Sequence, residues 1–329
     1  MRKKLMTLFM AAMLAVTTIC LSACGGNSDQ ETTKAAEGDN KETESIANAD
    51  DSTGSTTYPL TITDDLGNEV TIESEPERVV SLSPSCTEIL FAVGAGDRVK
   101  GRTDYCSYPE EAAAVDSIGT YSSPNTELII SMEPDVIFAA DYIDDSIRST
   151  VEAAGAKVVV FSATTIEAVE KDIQLAGQIL NLNEESQEIV DGMEADLKEI
   201  QETLAANTET KSVFVDIGSF YSAGPGSLYD DVLNQIGVTN IAADSGETWP
   251  QLSVEVIIEK NPDVYISTYT TPDELKAISG LNELDCIKND QIVYFDGYSA
   301  EADMIQRPGP RIVEGVRVLA ESIYPELFQ

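Results

Sequence analysis

The chain has 329 residues, with 58 acidic and 20 basic side chains and a formal net charge of −38. A chain this acidic lacks the basic face that nucleic-acid binding requires, and anionic lipid surfaces would repel it. It contains no histidine, which excludes Ser-His and Cys-His catalysis and every histidine-based metal site.

The N-terminus is typical of an exported lipoprotein. A basic head at residues 1–4 precedes an apolar stretch from Leu5 to about Ile19, which is shorter than the roughly 20 residues that a spanning helix needs. The stretch closes with Leu-Ser-Ala-Cys24, which resembles a bacterial lipobox and implies cleavage before Cys24 and its acylation. An ordinary secretory signal with an incidental cysteine is the alternative. No other segment is apolar enough to cross a membrane, so we expect attachment to the extracytoplasmic face of the cell membrane by lipid alone.

Residues 27–57 contain eight acidic residues, two lysines and no aromatic residue. A segment of this composition cannot bury enough apolar surface to offset the entropy lost on ordering. We expect a flexible tether that reaches on the order of 30 Å.

From Tyr58 onward, alternating strand and helix patterns predict an α/β fold with parallel sheets. A hairpin pattern at Tyr58–Ile72 comes first. Short apolar strand patterns follow at Arg78–Leu82, Arg98–Arg102, Val136–Ala139, Lys157–Phe161, Ser212–Asp216, Val264–Ser267 and Gln291–Phe295.

A long helical region interrupts this alternation between Thr165 and about Ala206, where apolar residues recur at three- and four-residue spacing. Asn181–Asn183 is expected to divide it, and Glu184-Glu185 favours a new helix start. We therefore predict a signal peptide at residues 1–23, a lipidated flexible linker at 24–57, an N-terminal lobe at 58–183, a connecting helix at 184–208 and a C-terminal lobe at 209–329.

The two lobes contain a similar unit. Glu127 opens a helix that is followed by Pro134-Asp135 and a strand, and Glu255 is followed at the same spacing by Pro262-Asp263 and a strand. Chance is the alternative, because proline and aspartate suit any such turn. An internal duplication explains the length of the match better.

Four motifs carry a resemblance to a known family. They are Arg78-Val-Val-Ser-Leu-Ser-Pro-Ser-Cys-Thr-Glu88, Gly101-Arg-Thr-Asp-Tyr-Cys-Ser-Tyr-Pro109, Trp249-Pro-Gln-Leu-Ser-Val-Glu255 and Arg307-Pro-Gly-Pro-Arg311. Together they resemble the periplasmic binding proteins for cobalamin and ferric siderophores, and most closely the cobalamin-binding proteins. The resemblance implies two Rossmann-like lobes joined by one long helix, with the ligand held in the cleft between them.

The resemblance and the positions of residues after strands suggest a set of ligand contacts. Backbone N–H groups at a helix start can donate to polar ligand edges, aromatic side chains suit a large flat ligand, and arginine can hold a phosphate or amide edge. Simple serine capping, aromatic core packing, and ion pairs of the arginines with Glu314 or another acid are the alternatives. The predicted contacts are Ser83, Pro84, Ser85, Tyr105, Tyr121, Tyr142, Phe220, Tyr221, Trp249, Arg307 and Arg311.

The paired glutamates of the repeated unit have a different predicted role. The family pattern places Glu127 and Glu255 on the outer faces of the two lobes, where each would meet an arginine pocket of one permease subunit. A pseudo-two-fold binding protein can present one charge to each half of a two-fold partner. The alternative is that each glutamate only interacts with the dipole of its own helix.

Three of the five cysteines remain after the signal and the lipid site: Cys86, Cys106 and Cys286. Cys86 and Cys106 both follow strands and could face one cleft, where the export route permits a disulfide between them. Two unpaired residues that line the cleft are the alternative. Without histidine or a CxxC pair we predict no metal site.

We expect the ligand to be a corrinoid, cobalamin, that is transported, and we expect no resident cofactor. The expected partner of this monomer is an ABC permease dimer with its ATPase subunits. A neutral or zwitterionic corrinoid tolerates an acidic chain, whereas a ferric catecholate would need several basic residues in the cleft. A hydroxamate siderophore, or haem with a tyrosine ligand, is the alternative. An enzyme is the competing class of function, but Gly94-Ala-Gly96 alone is a weak sign of a phosphate-binding loop.

Overall fold

Two parallel sheets organise residues 54–329, which are the part of the chain that this computed structural model describes. The predicted signal peptide, the predicted lipid site Cys24 and the predicted linker up to residue 53 lie outside the described residues. Helices flank each sheet, and each sheet with its helices forms one lobe beside the cleft. The predicted α/β fold of two Rossmann-like lobes is therefore confirmed.

The N-terminal lobe begins with a hairpin and then alternates strands with helices. Its elements are β1 (Leu60–Thr63), β2 (Glu69–Ile72), β3 (Val79–Ser81), α1 (Pro84–Ala92), β4 (Val99–Gly101), β5 (Gly119–Thr120), β6 (Ser123–Pro124), α2 (Thr126–Ser131), β7 (Val136–Ala140), α3 (Asp145–Ala153) and β8 (Lys157–Phe161). The pairs β1–β2 and β5–β6 are antiparallel hairpins. The other four strands are parallel and lie in the order β4-β3-β7-β8.

Two consecutive helices lead to the second lobe: α4 (Ile166–Leu180) and α5 (Asn183–Leu204). The break lies where the sequence predicts it, because Asn181 takes the left-handed conformation with φ of 57° and ends α4. The 22-residue helix α5 begins and ends within a few residues of the predicted connecting helix.

The C-terminal lobe repeats the strand–helix alternation. Its elements are β9 (Ser212–Asp216), α6 (Leu228–Ile236), β10 (Thr239–Asn240), α7 (Val254–Lys260), β11 (Val264–Ser267), α8 (Pro272–Ala277), α9 (Asp285–Lys288), β12 (Ile292–Tyr294), α10 (Ala300–Gln306) and α11 (Ile312–Ile323). Its parallel strands lie in the order β10-β9-β11-β12. The two parallel sheets of the described chain therefore share one topology, in which the first strand lies between the second and the third.

The repeated unit folds in the same way in both lobes. The Asp135 carboxylate accepts a hydrogen bond from the backbone N–H of Arg78 at 2.8 Å, just before β3. The Asp263 carboxylate accepts one from the backbone N–H of Ser212 at 2.7 Å, at the start of β9. Each aspartate thus ties the start of its own strand to the start of the neighbouring central strand.

The largest hydrophobic core runs through both lobes and the helices between them. It includes Val79 and Ile89 of the first lobe, Ile173 of α4, and Val213 and Leu319 of the second lobe. Helix α5 packs against both α4 and α11. The lobes are therefore connected by continuous packing as well as by the chain.

The last residues of the predicted linker are hydrogen-bonded to this body. The backbone N–H of Thr56 and the hydroxyl of Ser55 donate to Asn181 Oδ1 at 2.7 and 3.1 Å, and Asn183 donates to the carbonyl of Gly54 at 2.7 Å. Residues 54–56 are therefore in contact with the folded body, whose start the sequence places at residue 58. Among residues 54–329 no helix is both long enough and apolar enough to cross a bilayer.

Candidate ligand cleft

The loops that follow the carboxyl ends of the parallel strands form the candidate site. In each sheet the winding direction reverses between the first and third strands, β3 and β7 in one lobe and β9 and β11 in the other. Open α/β sheets bind ligands in the crevice that such a reversal creates at the carboxyl ends of the strands. The segments that we call the cleft loops are 82–83, 102–109, 141–144, 162–165, 217–227, 241–253, 268–271 and 295–299.

Ser83 begins α1 directly after β3. Its hydroxyl accepts a hydrogen bond from the Cys86 N–H at 3.1 Å, and its carbonyl accepts one from the Thr87 N–H at 3.1 Å, so the expected serine cap is confirmed. Ser83 and Ser85 are buried, with their hydroxyls 3.0 Å apart. Because Pro84 has no N–H, the Ser85 amide is the first-turn donor that could face a ligand. Contact of these three residues with a ligand stays a prediction.

Exposed aromatic side chains are concentrated at this end of the sheets. The side chains of five of the six predicted aromatic contacts are between 40% and 63% exposed, which excludes a role as plain core residues: Tyr105, Tyr121, Tyr142, Tyr221 and Trp249. The Tyr121 hydroxyl donates to the carbonyl of Ala140 at the end of β7, at 3.0 Å. Burial, and then the nearby Asp141 carboxylate, raises the pKa of Tyr121. A concentration of exposed aromatic surface of this kind marks an interaction site.

Phe220 behaves differently from the other predicted aromatic contacts. Its side chain is half-buried and packs against the core cluster that contains Phe214 and Tyr265. The ring therefore supports the second lobe from inside, and its contact with a ligand stays a prediction.

A buried carboxylate shapes the loop that carries Tyr221. Asp216 ends β9 with no exposed surface, and its Oδ1 accepts hydrogen bonds from the N–H groups of Gly218 and Phe220 at 2.9 and 3.1 Å. Gly218, Ser219 and Phe220 all have positive φ angles, of 110°, 53° and 62°. Three consecutive residues in this region are costly unless their surroundings hold them, and such strain is found at ligand sites.

A short antiparallel ribbon places Trp249 beside this loop. The Ser222 N–H donates to the Pro250 carbonyl and the Gly224 N–H to the Thr248 carbonyl, both at 2.8 Å. This register puts Trp249 diagonally across from Tyr221 on the exposed face, while Ser222 and Pro250 are buried on the other face. The only tryptophan of the chain therefore belongs to the same cleft wall as Tyr221.

The two predicted arginine contacts have an internal partner. Arg311 is 6% exposed and donates from Nε and Nη2 to the two carboxylate oxygens of Glu88, both at 2.8 Å. Arg307 donates to Glu88 Oε1 at 2.8 Å and pairs with Asp303 at 2.8 Å. These bonds occupy donors of both guanidinium groups. Contact of the two arginines with a ligand edge stays a prediction. An ion pair was the alternative, but with Glu88 of the other lobe and not with Glu314.

Cys86 and Cys106 are free thiols, as is Cys286, and all three are buried. The Thr87 and Thr103 hydroxyls lie 3.0 and 3.1 Å from the Cys106 sulfur. Burial raises the pKa of the Cys86 thiol well above its usual range, which keeps it protonated. Cys86 and Cys106, which both lie in the N-terminal lobe, are therefore not bonded to each other in the described chain, as the alternative to a disulfide states.

Glu127 and Glu255 occupy equivalent positions. Each is exposed, each is the second residue of its helix, α2 or α7, and each follows a side-chain cap, from Asn125 or Ser253. A hydrogen bond with its own backbone N–H, and then one with the Ser253 hydroxyl, lower the pKa of Glu255. Docking on a permease stays a prediction.

Sequence reasoning missed Tyr108, Tyr269, Tyr298 and Glu88. The three tyrosines lie on cleft loops with 45%, 52% and 85% exposure. Each lies shortly after a strand, which is the sequence pattern that predicts the other aromatic cleft residues. Glu88 could have been noticed as a carboxylate next to the apolar run Ile89-Leu90 in a buried helix, which requires a cationic partner.

The described residues show no group of three or more cysteine or acidic side chains that could hold a metal ion. The cleft loops carry exposed aromatic rings, hydroxyls and backbone groups. Their chemistry suits the binding of an organic molecule.

Known proteins share this architecture. The chain is 33% identical to YvrC of Bacillus subtilis (strain 168), an uncharacterized ABC transporter substrate-binding lipoprotein, over 97% of each chain. It is 30% identical to a cobalamin-binding protein of Halobacterium salinarum (strain ATCC 29341 / DSM 671 / R1), over 81% of this chain and 74% of that one. A crystal structure from Staphylococcus epidermidis ATCC 12228, of a possible iron-binding (periplasmic solute-binding) protein, superposes with a TM-score of 0.66 at 28% identity, over 76% of this chain and 100% of that one. A family model, Periplasmic binding protein, matches residues 79–298. The chain therefore belongs to the periplasmic binding protein family.

Proposed function

We propose that the chain captures a corrinoid, with cobalamin as the ligand, and delivers it to an ABC importer. The observation that carries this proposal is a cleft with many exposed aromatic side chains and a single basic residue, Arg102, among the described cleft loops. Aromatic rings offer rigid apolar area to a large macrocycle, and hydroxyl and backbone groups can bind its peripheral amides. The cobalamin-binding relative from Halobacterium salinarum supports the same ligand class.

The charge of the cleft separates the candidate ligands. The cleft loops contain one basic residue, Arg102, whose guanidinium donates to the carbonyls of Thr103 and Ala112 at 2.9 and 3.3 Å. Arg307 and Arg311, at the edge of the cleft, are held by Glu88. A ligand with carboxylate or catecholate groups, such as haem or a ferric catecholate, would leave those charges unpaired, which is costly. A corrinoid with amide side chains does not meet this penalty.

A neutral or cationic ferric hydroxamate is the second candidate, because it satisfies the same charge condition. The similarity to the possible iron-binding protein from Staphylococcus epidermidis favours this alternative. The two ligands differ in size and in the apolar area that they present, so direct titration separates them.

Calorimetry of the purified protein with cyanocobalamin, ferrioxamine B and haem tests this assignment. We expect cyanocobalamin to bind with the highest affinity and haem to bind weakest. Trp249→Ala should weaken cyanocobalamin binding by about 1 to 3 kcal/mol, the scale for removing an aromatic anchor. Ile258→Ala, an exposed apolar residue on α7, is the control and should bind as the wild type does. Tight ferrioxamine binding without corrinoid binding would contradict the proposal.

Delivery needs a membrane partner and an anchor. Glu127 and Glu255 are proposed to bind one permease subunit each, and the protein is proposed to act as a monomer held at the cell surface by lipid on Cys24. The similarity to a lipoprotein over almost the whole chain supports the anchor. Intact mass of membrane-extracted protein should show a diacylglyceryl adduct that the Cys24→Ala variant lacks, and an unmodified wild type would contradict this attachment.

A further inference from the structure

The contact between the two lobes contains a charge cluster that spans a long separation in sequence. Glu88 lies in α1 of the N-terminal lobe, whereas Asp303, Arg307 and Arg311 lie on or next to α10 and α11 of the C-terminal lobe. We call these four residues the interlobe ion cluster. The cluster contains two carboxylates and two guanidinium groups, so its charges balance.

The interlobe ion cluster has the geometry of a strong, fully satisfied network. Three hydrogen bonds, all of 2.8 Å, join Glu88 to the two arginines, and the bond pair to Arg311 is bidentate. Glu88 and Arg311 are 3% and 6% exposed. A bidentate pair fixes direction as well as distance, and a buried pair is weakly screened by salt. The other ion pairs of the described chain have at least one strongly or moderately exposed partner, such as Arg317 with Glu199 at 3.4 Å.

The same cluster touches the ligand cleft on two sides. The Arg311 guanidinium lies over the Tyr108 ring, 3.8 Å from its centroid, and the remaining surface of that half-exposed ring is open. A Cβ on Gly309, between the two arginines, would lie 3.8 Å from the Ser85 carbonyl. The segment 307–311 of one lobe therefore packs directly against the first turn of α1 in the other.

We propose that Glu88 is a positioning residue of the ligand cleft. By binding both arginines it fixes the separation and orientation of the two cleft walls, and through Arg311 it fixes the plane of Tyr108. Glu88 itself does not touch the ligand. The effect of Glu88 on corrinoid affinity rests on the proposed function. Its effect on the separation of the two lobes does not depend on which ligand binds.

Distances between the lobes test the structural half of this proposal. Spin labels at Ser149→Cys on α3 and Asp273→Cys on α8 report the separation by pulsed electron resonance, since both positions are exposed and the three thiols within residues 54–329 are buried. The doubly labelled protein with no further substitution should give one narrow distribution of label-to-label distances. Glu88→Gln, which keeps the shape and removes the charge, should broaden it. Glu199→Gln, which removes an exposed ion pair, is the matched control and should leave it narrow. A narrow distribution in folded Glu88→Gln would overturn the proposal.

A second variant covers the case in which Glu88→Gln fails to fold. Arg311→Lys keeps the positive charge but removes the bidentate bond and the flat contact with Tyr108. It should broaden the distance distribution as well, and it should weaken cyanocobalamin binding roughly tenfold, within the usual range of coupling between sites. An unchanged distribution in Arg311→Lys would overturn the proposal independently. If the distances respond while the wild type binds no corrinoid, the ligand assignment fails and the positioning role stands.

Discussion

Asp172 is a buried carboxylic acid in α4. It is 2% exposed, and its Oδ2 atom has no hydrogen-bond partner among the described residues. Burial is the largest of the causes that raise the pKa of Asp172 to about 9. The charge of Asp65, a hydrogen bond with Asp65 and the charge of Asp141 raise it further. The group is therefore protonated in the folded protein at neutral pH, whereas it is ionised in the unfolded chain, where its pKa is about 3.9.

This difference makes stability depend on pH in a defined direction. A raised folded-state pKa contributes stability that is fully present below about pH 4 and is lost as the pH rises towards about 9, by up to about 1.4 kcal/mol per pH unit. Asp172→Asn removes the titration, so its free energy of unfolding relative to the wild type should increase from pH 5 to pH 8. Urea denaturation at both pH values measures this difference in free energy. Asp196→Asn, on the exposed face of α5, is the control, and its difference from the wild type should stay constant. If the free energies of unfolding of Asp172→Asn and the wild type differ by the same amount at both pH values, Asp172 is ionised in the folded protein.

At the scale of elements, the equivalent helices α2 and α7 carry the predicted docking charges. Reversing both, in Glu127→Lys/Glu255→Lys, should abolish ligand delivery and weaken permease binding, while ligand affinity in the isolated protein stays unchanged. Such exposed charges set orientation and encounter rate, so each single reversal should have a smaller effect than the double one and high salt should weaken wild-type docking.

Transport by reconstituted permease, with calorimetry of the free binding protein, measures this prediction. Glu185→Lys/Glu194→Lys on α5 has the same change of charge on exposed residues and should transport normally. Normal transport by the Glu127/Glu255 double variant, or loss of its ligand affinity, would assign these glutamates another role.

The regular elements could be predicted because their patterns are local. The strands predicted at Lys157–Phe161, Ser212–Asp216 and Val264–Ser267 have the same bounds in the structure. Their valine- and isoleucine-rich runs are bounded by turn residues, which is the pattern of fully buried parallel strands. The two-residue strand Thr239–Asn240 was not predicted, because so short a segment has no periodicity.

The site could be predicted only in part, because its partners are distant in sequence. A position after a strand identifies Tyr105 or Tyr221 as a cleft residue, since the carboxyl ends of parallel strands lie together. The pairing of Glu88 with Arg311 joins residues of different lobes, so the local pattern around each one shows only an acid and a base that need partners. The sequence likewise could not distinguish Phe220, whose ring packs inward, from the exposed aromatic residues nearby.

At the scale of the whole molecule, two lobes of one topology place similar loops around one cleft. Glu133 and Asn261, which end the repeated helices at equivalent positions, both have positive φ angles, of 48° and 39°. The two halves nevertheless present different side chains to the cleft, with Tyr105, Tyr121 and Tyr142 on one wall and Tyr221 and Trp249 on the other. A duplicated fold with two different walls suits an asymmetric macrocycle better than a symmetric ligand.

A crystal of the protein grown with cyanocobalamin and measured at the cobalt absorption edge tests the central claim most directly. We expect one strong anomalous peak between the lobes, with the corrin ring in contact with Trp249 and Tyr221 on one side and with the tyrosines of the first lobe on the other. A cobalt peak on an outer face of either lobe, or no peak at saturating ligand, would contradict the assignment of the cleft as a corrinoid site.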